Sequence, residues 1–92
     1  MKVIWKFSVH AGYRETISVP VGTRLFEAQF QRREIVIWGV VDEANALTEE
    51  REIFVLTTGS PMPDEPLRHL GTIQTNGGDY VFHVFEKEPR VG

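Results

Sequence analysis

Hydrophobic and polar residues alternate along most of this chain. From Lys2 to Val9, the residues Val3, Trp5, Phe7 and Val9 fall on one side and Lys2, Lys6 and Ser8 on the other, with Ile4 the exception. A period of two puts successive side chains on opposite faces of an extended backbone, so this run predicts a half-buried strand. Tyr13 to Val19 repeats the pattern, with Tyr13, Ile17 and Val19 against Arg14, Thr16 and Ser18. His10-Ala11-Gly12 between the two runs predicts that they form a hairpin. Pro20-Val21-Gly22-Thr23 ends the second run, because proline has no ladder donor and glycine accepts positive φ. Over residues 24–31, Phe26, Ala28 and Phe30 oppose Glu27, Gln29 and Gln31, the pattern of a sheet with one wet face. Ile35 to Val41 is apolar on both faces, which fits a central strand covered on both sides or one that faces a partner subunit. Gln31-Arg32-Arg33-Glu34 is the turn between these strands, although it lacks the Asn-Gly that such hairpins favour.

Asp42 to Glu50 has good helix formers but few apolar positions, and predicts a loop with at most one turn of helix. A β-branched strand follows over Ile53–Thr57. Three prolines then exclude regular structure from Thr58 to Pro66, with Asp64 placed to cap one helical turn through His69. Leu70–Thr75 and Tyr80–Glu86 flank Asn76-Gly77-Gly78-Asp79, a glycine-rich hairpin loop. The expected fold is all-β: about seven short antiparallel strands in a small sandwich or partly open barrel. Residues 1–86 form the single domain and 87–92 a short C-terminal tail.

A chain of 92 residues has material for one core and not two. Its net charge of −3 denies it the basic footprint of a nucleic-acid polymer binder, and no apolar run has the length of a membrane-spanning helix or of a signal peptide. The absence of cysteine removes thiol chemistry and suits a reducing compartment, so the chain reads as cytosolic. Charge is uneven along the chain: residues 1–41 sum to +3, residues 42–52 to −4 and residues 53–92 to −2. The basic part coincides with the first four predicted strands.

The three histidines have neither His-x-His nor His-x-x-x-His spacing, so no metal and no cofactor is expected. His83 lies on the face of the last strand opposite Tyr80, Phe82 and Val84, as a half-exposed sheet residue or as the wall of a polar cavity. Ser60 sits in Thr58-Gly59-Ser60, which is not a nucleophile elbow; small consecutive residues there can instead aim backbone N–H groups at an anion. Arg32, Arg33 and Arg68 are the candidate phosphate ligands, since a guanidinium forks onto phosphate oxygens. Trp38 is either a core anchor or a stacking wall for a base.

The segments Met1-Lys2-Val3-Ile4-Trp5-Lys6-Phe7, Val19-Pro20-Val21-Gly22, the Trp38 strand ending at Val41-Asp42, Thr58-Gly59-Ser60-Pro61-Met62-Pro63-Asp64, Gly71-Thr72-Ile73-Gln74 and Tyr80-Val81-Phe82-His83-Val84-Phe85-Glu86 together resemble a family of short proteins encoded by tailed phages and prophages. The resemblance covers almost the whole chain, and members often carry Gly-His in place of Gly59-Ser60 and Asn-Gly in place of Arg32-Arg33. It implies a phage setting, in the cytoplasm of the infected bacterial host. Small phage accessory proteins without catalytic motifs act by stoichiometric binding, so the expected function is a non-enzymatic, homo-oligomeric protein that sequesters a small nucleotide-type immune signal. Its ligand set is Arg32, Arg33, Arg68, Thr58, Gly59, Ser60, Trp38 and His83. The rival readings are an inhibitor laid on a host protein and a small nucleotide phosphodiesterase using His69 or His83.

Overall fold

The computed structural model describes residues 1–10 and 12–88. Seven strands follow in order: β1 (Lys2–Val9), β2 (Arg14–Pro20), β3 (Arg24–Gln31), β4 (Glu34–Asp42), β5 (Thr48–Thr57), β6 (Leu67–Thr75) and β7 (Tyr80–Lys87). A three-residue 3-10 turn, Asn76–Gly78, joins the last two. The strands form a three-stranded sheet of order β1-β4-β3 and a four-stranded sheet of order β2-β5-β7-β6, with every pairing antiparallel. This is an all-β, two-sheet sandwich that does not close into a barrel. Lys87, assigned to the tail by the sequence pattern, closes β7, while 89–92 lie outside the described residues.

The inner faces interlock Val9, Leu25, Ala28, Ile35 and Ile37 of the first sheet with Ile17, Val19, Ile53, Val55, Ile73 and Val84 of the second. Four expectations are corrected. β1 and β2 do not form a hairpin; β1 pairs with β4 and β2 with β5, so the His10–Tyr13 link carries the chain from one sheet to the other. Two strands with the same apolar parity bury more surface facing across a core than lying side by side. β5 starts at Thr48, within the stretch read as a loop, because Glu49 and Arg51 point inward to an ion network that apolar patterning does not register. No helical turn follows Asp64; Leu67, Arg68 and His69 instead open β6 opposite Lys87, Glu86 and Phe85. Finally, a bulge between Leu25 and Glu27 reverses the parity of β3, so that Leu25 is fully buried and Phe26 exposed.

The β3–β4 turn is tight, with Arg32 at φ 50° and Arg33 at φ 67°. Both values belong to the left-handed region, where a Cβ crowds the following carbonyl. Replacing Arg32-Arg33 by Asn-Gly is expected to raise stability by about 1–2 kcal/mol, read from the urea midpoint. An unchanged midpoint would show that the turn carries no strain.

At the opposite end of the sandwich, Glu86 is 3% exposed and faces inward between two arginines. Arg51 Nη1 donates to its Oε2 at 2.5 Å and Arg68 Nη2 to its Oε1 at 2.8 Å. Arg51 also reaches Glu49 Oε1 (2.7 Å) and the Thr23 carbonyl (2.6 Å), and Arg68 reaches the Leu25 carbonyl (2.5 Å). Burial works against the Arg51 charge, yet the hydrogen bonds to Glu86 and Glu49 outweigh it and hold its pKa above the ordinary value. The network ties the start of β3 to the second sheet. Along the same flank, β6 approaches β3 so closely that a Cβ on Gly71 would lie 2.9 Å from the Ala28 carbonyl oxygen. Like β3 and β6, the edge strands β1 and β2 have ladder partners on one side only.

The link from β5 to β6 crosses the outer face of the second sheet, because β7 lies between those two strands. Under it Phe54 is fully buried, with Tyr13 edge-on at 5.9 Å and the Arg14 guanidinium 5.1 Å above the ring. Glu65 in the crossover meets Lys87 at 3.1 Å, and Arg14 meets Glu52 at 2.7 Å. The Arg14 hydrogen bond, helped by the charges of Arg14 and Lys87, holds the Glu52 carboxyl below the ordinary carboxylate range. A depressed folded-state pKa contributes stability that is fully present above the unfolded value of about 4.3 and is lost as the pH falls through the folded one. The urea midpoint is therefore expected to decline as the pH drops below about 4, and to decline less in Glu52→Gln. Equal declines in both proteins would remove Glu52 from the account.

Candidate functional site

The strand directions divide the molecule into two ends with different chemistry. One end gathers Glu49, Arg51, Arg68 and Glu86 with the Pro20–Thr23 and Asp42–Leu47 links. A hollow of about 390 Å³ there is lined by Glu49, Glu50, Glu52 and Glu88 beside Arg51 and Lys87. Four carboxylates there oppose an anionic ligand.

The other end holds the Arg32–Arg33 turn, the Thr57–Ser60 turn and the start of β7. Two hollows meet there and share Phe82. The first, about 150 Å³, is lined by Val9, His10, Phe30, Arg33 and Ile35, together with Glu34, whose carboxylate accepts a long hydrogen bond from Ser8 Oγ (3.4 Å). The second, about 370 Å³ and more open, is lined by Thr57, Thr58, Asp79, Tyr80 and Val81. Tyr80 is exposed beside it, and the Asp79 carboxylate accepts a bond from Asn76 Nδ2 at 3.2 Å. The Thr57–Ser60 turn closes through Ser60 N–H to the Thr57 carbonyl (3.1 Å), with Gly59 at φ 93° and the Thr57 and Ser60 hydroxyls 2.6 Å apart.

Beside the second hollow, the outer face of the four-stranded sheet carries a continuous polar chain. Thr58 Oγ1 lies 2.7 Å from His83 Nε2, His83 Nδ1 lies 3.1 Å from Thr72 Oγ1, and that hydroxyl lies 3.0 Å from His69 Nε2. The His69 ring rests against Phe85 at 5.2 Å. Each hydroxyl and each neutral imidazole both donates and accepts, so the chain can run in either direction. Among the described residues, no three His, Asp or Glu side chains converge as a metal site.

A family model described as a domain of unknown function, DUF7352, matches residues 1–91. The chain belongs to the DUF7352 family. No curated protein and no solved structure matches it.

In this DUF7352 domain the residues singled out from the sequence occupy four places. Arg32, Arg33, Thr58, Gly59 and Ser60 lie at one end of the sandwich. Arg68 lies at the other, bound to Glu86. Trp38 is half-buried on the outer face of the three-stranded sheet and His83 on the outer face of the four-stranded one. The Ser60 N–H, expected to serve an anion, is occupied within its own turn. Phe82 and Thr72 escaped the sequence reading. Thr72 stands opposite His83 in register, a relation legible only once the 3-10 turn fixes the β6–β7 pairing.

Proposed function

We propose that this domain is a non-enzymatic binding protein for a small phosphate-bearing nucleotide, held at the end where the two hollows meet on Phe82. That junction is the observation that carries the reading. It sets the Arg33 guanidinium on one side of an apolar floor, beside the His10 imidazole that Glu15 holds at 2.8 Å, and an exposed ring, Tyr80, with threonine hydroxyls on the other. Phosphate oxygens match the first side and a stacked base the second, with Asp79 and Glu34 as acceptors for amino or ribose hydroxyl groups. In the phage setting implied by the sequence resemblance, such binding removes a nucleotide immune signal from the host cytoplasm. Arg68 is not part of this site, because it lies at the other end of the sandwich, where its Nη2 donates to Glu86 and the Leu25 carbonyl.

The test is to incubate the purified protein with cyclic dinucleotides and ADP-ribose derivatives, remove unbound ligand, and release what is held by heating. Intact nucleotide supports the reading, and Arg33→Ala should then weaken binding by about 1.5–3 kcal/mol. No uptake from the panel overturns it and favours a protein target. A second reading, a small phosphodiesterase, draws on the Thr58–His83–Thr72–His69 chain, in which a hydroxyl lies within proton-transfer reach of an imidazole. Recovery of a cleaved product, lost in His83→Ala, would establish that reading in place of the first.

A further inference from the structure

The outer face of the three-stranded sheet exposes apolar side chains among charges. Its central strand exposes Trp38 and Val40 partly, flanked by Ile4, which is 62% exposed. Val36, also pointing outward, is nevertheless 1% exposed. Lys6 on β1 bonds Gln31 on β3 at 2.9 Å, and since β4 lies between those strands the lysine stem passes over this part of the face. Apart from Asp42, which meets the N-terminal amino group at 3.5 Å, the charges on this face have no oppositely charged partner. Among the described residues Lys2, Lys6, Arg24, Glu27 and Glu34 make no ion pair, whereas Arg14, Glu52, Glu65 and Lys87 on the opposite outer face are all paired.

Two of these charges flank the central tryptophan. In one register row, Lys6 on β1, Trp38 on β4 and Glu27 on β3 lie side by side. A second copy turned about a two-fold axis parallel to β4 presents the same row reversed, so Lys6 faces the partner's Glu27, Trp38 meets the partner's Trp38, and the partner's Lys6 faces Glu27. The alternative in-plane axis, perpendicular to the strands, lays β1 on β1 and sets lysine against lysine. Charge thus selects one arrangement. We propose that the domain forms a symmetric dimer through this face, with strands of the two copies aligned and the sheets about 10 Å apart.

The same axis brings both Arg32–Arg33 turns to one end of the pair. A two-fold symmetric anion such as a cyclic dinucleotide would meet two copies of the hollow there, a step that rests on the binding reading, whereas the dimer itself is measured without ligand.

The experiment is a charge swap, read by sedimentation equilibrium of the ligand-free protein, with circular dichroism confirming the fold of each variant. The wild type should be dimeric at micromolar concentration. Lys6→Glu and Glu27→Lys should each weaken the dimer by roughly tenfold or more, and the double variant should return to within about threefold of the wild type. A wild type monomeric at high micromolar concentration overturns the dimer. Single variants that associate normally, or a double variant no better than either single one, overturn this interface.

Discussion

Glu86→Ala should lose about 3–5 kcal/mol of folding free energy, with the melting temperature falling on the order of 20 °C. The substitution leaves Arg51 and Arg68 without the buried carboxylate that both address, with Glu49 still bonded to Arg51. The cost is that of two partly buried guanidinium groups losing their shared carboxylate, which exceeds the net worth of the intact network. Converting the three residues together, Glu86→Leu with Arg51→Met and Arg68→Met, should therefore recover part of the loss. Recovery stays incomplete because the Thr23 and Leu25 carbonyls lose the donors that satisfy them. Equilibrium denaturation of the single and triple variants measures both numbers. A Glu86→Ala protein within about 1 kcal/mol of the wild type would show that water reaches the arginines and that the network is not sealed.

A loss of comparable size, about 3–5 kcal/mol, is expected for Phe54→Ala, although that side chain lies outside the space between the sheets. Phe54 is covered from the solvent side by Tyr13 and by the Arg14 guanidinium, which in turn lies 3.9 Å from Glu65 of the crossover between β5 and β6. Its removal opens a cavity beneath a segment held down at its end by Glu65 and by the Pro66 carbonyl, which accepts the Glu88 N–H at 2.9 Å. Phe54→Leu keeps most of the volume and should cost less than about 1.5 kcal/mol. If alanine and leucine behave alike in urea denaturation, the crossover collapses onto the sheet and the site is plastic.

The positions of most strands were legible because one face of each is apolar and period two is unambiguous over eight residues. What the alternation does not encode is which strands are neighbours. Val3-Trp5-Phe7-Val9 and Ile17-Val19 have the same signature whether they lie side by side or across a core. Inward-facing charge was equally opaque. Glu49, Arg51, Arg68 and Glu86 read as surface residues one at a time, and only their convergence from three strands makes them an interior group. The Arg32-Arg33 turn and the Thr58–Ser60 turn were visible as turns, and the structure places them at one end. The Arg68–Glu86 pair was hidden because no spacing rule applies to it: the partner is 18 residues away on the neighbouring strand.

The contact of Gly71 with Ala28 and the bond from Arg68 to the Leu25 carbonyl give the sandwich the construction of a book, bound along the β3–β6 edge and, along the β1–β2 edge, joined at one end by the His10–Tyr13 link. Thermal breathing of such an object starts at the fore-edge. Amide protons of β1 and β2 exchange with solvent ahead of those near the binding, and the inward-facing but half-open Trp5 marks where the leaves part first. Any strand from another chain that enters the molecule enters there, since that is where unpaired backbone donors and acceptors and a separable pair of sheets coincide.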